Sequence, residues 1–260
     1  MIDIKIMTEH KDLNICKNCG NEFSGNFCNI CGQSAHTHEI SVHYIWHDIQ
    51  HGFFHFEKGI LYTLKELFTR PGDAVKEFMD GKRINHFRPL SLLILLGGLY
   101  AFLLHTFHID LIPFSRSISE EQSKFNLNIW FNLIEDHFSI AQIVFLPIFS
   151  FASYLAFKKY KIIYAKHIIL NAFMLSQRLV VRILFLPFLY FFEGTDKFSI
   201  FFAISNLLGF AAMIWTMIQF FKAESVLKTV LRSILYFILF FFQMILIGLP
   251  IVIILVKFFK

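Results

Sequence analysis

An all-α integral membrane protein is the fold class this sequence predicts, and three observations predict it. The 260 residues are 56% hydrophobic and include 35 phenylalanines, more than one water-exposed core of this size can bury. Five apolar stretches approach or exceed the roughly 20 residues that a helix needs to cross about 30 Å of hydrocarbon. All four cysteines lie ahead of those stretches, in CKNCGNEFSGNFCNIC. The expected architecture is a five-helix transmembrane bundle preceded by a small metal-folded module and an amphipathic helix on the cytosolic side.

Residues 1–15 read as a polar, flexible lead. MIDIKIMTEHKDLN has neither the apolar stretch nor the small-residue cleavage site of a secretory signal, so this end is expected to stay in the cytosol. Residues 16–33 carry Cys16-x2-Cys19 and Cys28-x2-Cys31, the spacing of a short zinc ribbon. Each pair supplies two thiolates from one tight turn, and two facing turns complete the tetrahedron that Zn²⁺ accepts. Gly20 and Gly32 follow the pairs and let the turns close. A redox dithiol or an iron–sulfur centre is the other use of this spacing. The zinc is expected to be structural, because so short a segment has no core of its own and all four positions are taken by sulfur. A reducing cytosol favours the thiolate site over disulfides. The net charge of +5 is spread along the chain and Lys17 is the lone basic residue inside the module, so no nucleic acid is expected. A cytosolic protein partner docking through the ribbon is the interaction this module suggests.

Residues 39–88 read as amphipathic juxtamembrane helices. Over 39–69, helical spacing puts Val42, Trp46, Ile49, Phe53, Phe56, Ile60, Leu64 and Leu67 on one stripe. His43, His47, His51 and His55 recur every fourth residue on the other face, with Leu61 and Phe54 interrupting it. Consecutive rings of such a stripe can chelate a second metal, with Asp48 assisting. The alternative is a polar face lying at the membrane surface. The helix is expected to stop at Arg70-Pro71-Gly72, and a short helix, DAVKEFMD, to follow with Asp73 as its cap and Gly81 as its end.

The bundle, 89–257, has expected spans at 89–107, 140–157, 168–192, 198–221 and 234–256. Ten Lys and Arg residues flank the spans on the side of the cysteines and five on the other. That bias puts the N-terminus in the cytosol and the C-terminus outside. Arg178 and Arg182 sit one turn apart within the third span, where a charge costs about 2.5–3.5 kcal/mol by insertion scales. With Asn171 and Gln177 on the same helix, they form a candidate site for an anion or a lipid headgroup; an internal partner or snorkelling is the competing account. On the outer side, His105, His108 and Asp110 can meet Glu135, Asp136 and His137. No nucleotide-binding loop, zinc-protease motif or nucleophile elbow occurs.

The run CKNCGNEFSGNFCNICGQ followed by HGFFHFEKGILYTLKELFTRPGDAVKEFMDGKRINHFRPLSLL resembles a bacterial family, domain of unknown function 3667. The shared features include the CxxCGxxFxGxFCxxCGQ ribbon, Gly59, Thr63, Leu67, Arg70-Pro71-Gly72, Gly81, Arg83 and Pro89. They cover about the first hundred residues; YAKHIILNAF resembles the family more weakly, with Lys166 standing where the family carries an acid. The resemblance implies a bacterial inner-membrane protein with a cytosolic zinc head, and implies no activity. From the residues themselves, the expected function is non-enzymatic: a zinc-stabilised head that docks a partner, above a polar intramembrane pocket around Arg178 and Arg182, with membrane lipid as a second partner. A carrier or channel for a small anion or lipid is one alternative. A metal-dependent membrane enzyme using the histidine stripe is the other.

Overall fold

The computed structural model describes residues 13–46, 59–109, 138–248 and 250. Strand β1 (Asn14–Ile15) pairs antiparallel with β2 (Glu22–Phe23), Asn14 opposite Phe23 and Ile15 opposite Glu22. Of the flexible lead expected over 1–15, Asn14 and Ile15 are instead folded back onto β2 by the first cysteine turn, and residues 1–12 lie outside the described residues. A second bridge, Phe27 to Ser34, brackets the second cysteine turn in the same way.

Residues 42–46 are helical, and α1 (Ile60–Leu67) and α2 (Pro71–Met79) follow. The single helix expected over 39–69 is interrupted: Gly59 has φ +128, outside the right-handed helical region. A Cβ there would lie 2.5 Å from the Asn85 carbonyl oxygen, so this glycine breaks the helix and admits a crossing loop. Downstream of the break the apolar stripe holds. Ile60, Leu64 and Leu67 pack on the core, and Leu61 is exposed. Upstream, Val42 and Trp46 are exposed, whereas Ile40 and Ile45 turn inward; Ile49, Phe53 and Phe56 lie outside the described residues. Helix α2 starts at Pro71 with Arg70 as its cap residue, three positions before the expected cap Asp73. Proline suits the first helical turn, where its missing N–H leaves no gap. Gly81, at φ +100, turns the chain after α2 as expected.

The bundle comprises α3 (Pro89–Phe107), α4 (Phe138–Ala156), α5 (Tyr164–Phe191), α6 (Asp196–Phe220) and α7 (Val226–Gln243), the last running into a π-helical turn at Met244–Gly248. Among the described residues, α3, α5, α6 and α7 with its continuation to Leu246 are long and apolar enough to cross a membrane. Helix α4 is apolar too, but its side chains are described only over Ala141–Ala156, so within the described residues four of the five expected spans meet the length. Helix α7 starts at Val226, well before the expected 234. Its first turns accommodate Arg232, whose Nη1 donates to the Ala156 carbonyl at the end of α4, 3.1 Å away. This satisfies a carbonyl that a helix end leaves open.

Helix α5 is the axis, packed against α3, α4 and α6 and touched by both α1 and α2. Its residues from Ile168 to Gln177 are all buried. Helices α6 and α7 instead present much of their apolar surface outward, including Leu207, Leu208, Leu231, Ile238, Phe241 and Phe242. Apolar surface of that extent calls for lipid rather than water. Helix α2 is clamped to the end of α6. The Gly72 amide donates to Gln219 Oε1 at 3.2 Å, and Lys222 Nζ reaches both Asp73 carboxylate oxygens. At Gly72 a Cβ would fall 2.3 Å from the Phe220 backbone nitrogen, so no larger residue fits without moving backbone.

Candidate metal centre and intramembrane arginine pair

The two cysteine turns are built alike. The Cys16 amide donates to the Asn21 carbonyl and the Gly20 amide to the Cys16 carbonyl; Cys28 with Gln33 and Gly32 with Cys28 repeat both bonds. Gly20 and Gly32 both sit at φ +75, a conformation that disfavours side chains. The repeated turn brings the four sulfurs within 4.8 Å of one another, with Cys16 to Cys31 at 3.5 Å and Cys19 to Cys28 at 3.6 Å. Sulfurs bound at about 2.3 Å to one tetrahedral ion stand about 3.8 Å apart, so the donor set fits a metal. Around it, Cys16, Phe23 and Cys28 are the buried apolar residues, packed with Cys31 and Ala35. That is too small a core to fold unaided.

The electrostatics favour the same use. Amides of Cys31 and Ile30 hold the Cys28 thiol down at about 6, against the opposing effect of burial. Burial pushes Cys16 up, but the amides of Cys19 and Asn18 outweigh it and the net shift is downward. Cys19 moves the other way, to about 12: the Asn21 amide favours its thiolate, yet burial and the sulfurs of Cys28, Cys16 and Cys31 disfavour another negative charge. A divalent cation among the sulfurs supplies the charge that lets all four ionise.

The arginine pair lies between α5 and α6. Arg178 and Arg182 both direct an Nη2 to one acceptor, Asn206 Oδ1, at 3.1 and 2.8 Å. Asn206 Nδ2 donates to the Phe202 carbonyl, which fixes the amide with its oxygen toward the arginines. The Arg178 side chain lies along Gly209, where a Cβ would meet its Cγ at 2.9 Å, and its guanidinium covers the Phe210 ring at 4.6 Å. Both Nε atoms are buried and without a hydrogen-bond partner among the described residues, and neither arginine forms an ion pair there. Two positive groups thus share one neutral oxygen.

Asn171 and Gln177, expected at the same site, are engaged elsewhere. Asn171 Nδ2 donates to Ser153 Oγ and its Oδ1 accepts from Tyr236, linking α4, α5 and α7; His167 Nδ1 lies 3.0 Å from the same Ser153 hydroxyl. Gln177 Nε2 donates to the Leu67 carbonyl, and its Oε1 accepts from Thr216. These two polar residues hold helices together instead of lining the arginine pair. Of the histidine stripe, His43 is exposed on the helical residues 42–46, while His47, His51 and His55 lie outside the described residues. Of the outer cluster, His105 and His108 stack at 6.3 Å, and Asp110, Glu135, Asp136 and His137 lie outside the described residues.

The contacts that join the head, α1 and α2 to the bundle were not legible in the sequence. Gln33 Oε1 accepts from the Arg83 and Ile84 amides at 3.0 and 3.3 Å, across fifty residues of sequence. Thr63 Oγ1 accepts from the Phe87 amide at 2.7 Å. Arg70 grips Glu77 in two bonds of 3.0 Å each and also meets Glu66. Gln33 ends the CGQ run and Thr63 falls within the buried stripe of α1; both positions were visible, but their partners were not.

Residues 57–101 match the model of the family described as "Protein of unknown function (DUF3667)", which bears out the resemblance read from the sequence. That span holds the Gly59 break, the Arg70–Glu77 clamp and the Gly72 contact. No curated protein and no solved structure matches the chain.

Proposed function

We propose that the chain is a non-enzymatic, five-span protein of a bacterial inner membrane, with a zinc-held head in the cytosol and a binding site for an anionic group at Arg178 and Arg182. The observation that carries this reading is the pair itself: two guanidiniums in an apolar helix, sharing one neutral oxygen, with both Nε donors unpartnered among the described residues. Each guanidinium has five N–H bonds to place, so a phosphate or carboxylate has donors waiting for it. A closed tetrahedral set of four thiolates suits zinc as well as iron–sulfur chemistry, and with zinc such a closed set makes the site structural. Mass spectrometry of the protein released from detergent tests the arginine site. The wild type is expected to retain an anionic lipid or small anion that Arg178→Leu/Arg182→Leu loses, with Arg178→Lys/Arg182→Lys retaining part of it. Equal retention by the leucine variant would make the arginines structural.

A second reading, docking of a cytosolic protein on the head, draws on one feature. Leu13, Ile15, Phe27 and Ile30 are each 65–69% exposed on a module of a few dozen residues. Apolar surface in that density is suited to a partner.

A further inference from the structure

Between the ribbon and the loop that leads into α3 lies a cavity of about 760 Å³, within the range of small-ligand sites. Its lining includes two arginines and four histidines against one carboxylate, Glu39. Three polar atoms on its walls, Gln33 Nε2, Thr37 Oγ1 and His86 Nδ1, are buried and lack a hydrogen-bond partner among the described residues. Gln33 is 3% exposed and His86 5%, so neither has water in easy reach. Native interiors rarely leave such groups unpaired, and three around one cavity point to something that pairs them.

The chemistry of that ligand follows from the donors. Two backbone amides donate to Gln33 Oε1, so the amide cannot be flipped and its NH₂ is the free end. Arg83 spends Nε on the Phe78 carbonyl and lies over the rings of Tyr44 and Phe78, which hold its guanidinium against the cavity wall. The His86 ring is fixed edge-on by Tyr62 and Phe78. Burial lowers its proton affinity despite Glu77 nearby, so the ring is neutral and Nδ1 can donate or accept. An amide NH₂, a guanidinium and a hydroxyl converging with net positive charge suit an acceptor with several oxygens, and repel a cation.

We infer that this cavity binds a phosphate group, presented by a phospholipid headgroup or by a soluble phosphate. Arg88, on the cavity wall, is the cap residue of α3, the first long apolar helix, so a headgroup at the membrane surface has access to it. The site is separate from the arginine pair and does not depend on it.

The full chain with its metal, purified in a maltoside detergent that carries no phosphate, is titrated calorimetrically with inorganic phosphate and, separately, with short-chain phosphatidylglycerol. Gln33→Glu keeps an oxygen for the Arg83 and Ile84 amides but replaces the donor with a negative charge. It is expected to weaken binding about tenfold or more. Thr37→Val removes the hydroxyl at nearly constant shape and is expected to weaken binding about threefold. If Gln33→Glu loses its metal or its melting transition, Thr37→Val decides alone. Binding of inorganic phosphate assigns a soluble ligand; binding of phosphatidylglycerol alone assigns a headgroup. The inference is overturned if neither ligand binds the wild type, or if the folded variants bind as tightly as it does. It is also overturned if Arg178→Leu/Arg182→Leu abolishes the binding that Gln33→Glu spares. That last result would support the arginine site alone.

Discussion

Single residues do unusual amounts of joining in this chain. Thr63 is fully buried in α1, and its hydroxyl is the acceptor for the Phe87 amide just ahead of α3. Thr63→Val keeps the shape and strands that amide, which is expected to cost about 1–3 kcal/mol in chemical unfolding, with Thr63→Ser recovering most of it. An unchanged midpoint in Thr63→Val would mean that the loop re-forms its bond elsewhere. Gly59 and Gly72 work by absence: one gives room to the Asn85 carbonyl, the other to the backbone of α6. In the sequence each looks like an ordinary breaker. What distinguishes them is a neighbour far along the chain, which no local pattern reports.

At the scale of elements, α1 and α2 are tied by charge as well as by packing. Hydrogen bonds from Arg70 hold the Glu77 carboxyl below its ordinary range, with burial opposing and the charges of Arg70 and Lys82 assisting. A depressed carboxylate contributes its stability above the unfolded value, about pH 4.3, and loses it as pH falls through the lower folded value. The melting temperature in detergent is therefore expected to fall as pH drops below about 5, and Glu77→Gln to flatten that part of the profile at a lower plateau. A Glu77→Gln profile parallel to the wild type would assign the acid sensitivity to other carboxylates, Glu224 among them, which hydrogen bonds from Tyr160 and Lys159 also hold low. The long helices were legible because hydrophobic length is a local property: α3 runs over the expected 89–107. The early start of α7 was not, because Arg232 counts as a loop charge until the end of α4 is found beside it.

Across the whole molecule, the head and the bundle meet through specific bonds. Gln33 takes two amides from the loop before α3, and Gly81 leaves space for Lys17 of the first cysteine turn, where a Cβ would be 2.7 Å from its Cδ. Losing the metal should therefore loosen more than the ribbon. One zinc per chain is expected in the wild type by elemental analysis and none in Cys16→Ser. That variant should keep its helical circular dichroism while the 83–84 amides exchange faster with solvent. Metal persisting in Cys16→Ser would direct attention to the histidine stripe, and no metal in either protein would remove the centre itself.

What the sequence determined by itself are the features set by spacing and by length. Four cysteines in two facing pairs define a cluster that can hold a metal, because the turn geometry needs only neighbouring residues, and the apolar runs define helices that lipid can cover. The tertiary structure alone decided how the polar residues are used. Asn171, Gln177, Arg178 and Arg182 all lie on one helix and read as one pocket. The neighbours of α5 divide them, since Ser153 and Tyr236 engage Asn171, Leu67 and Thr216 engage Gln177, and Asn206 engages the arginines. A buried hydrogen-bonding group must find its partner wherever packing brings one, and packing in a bundle joins residues that sequence keeps far apart.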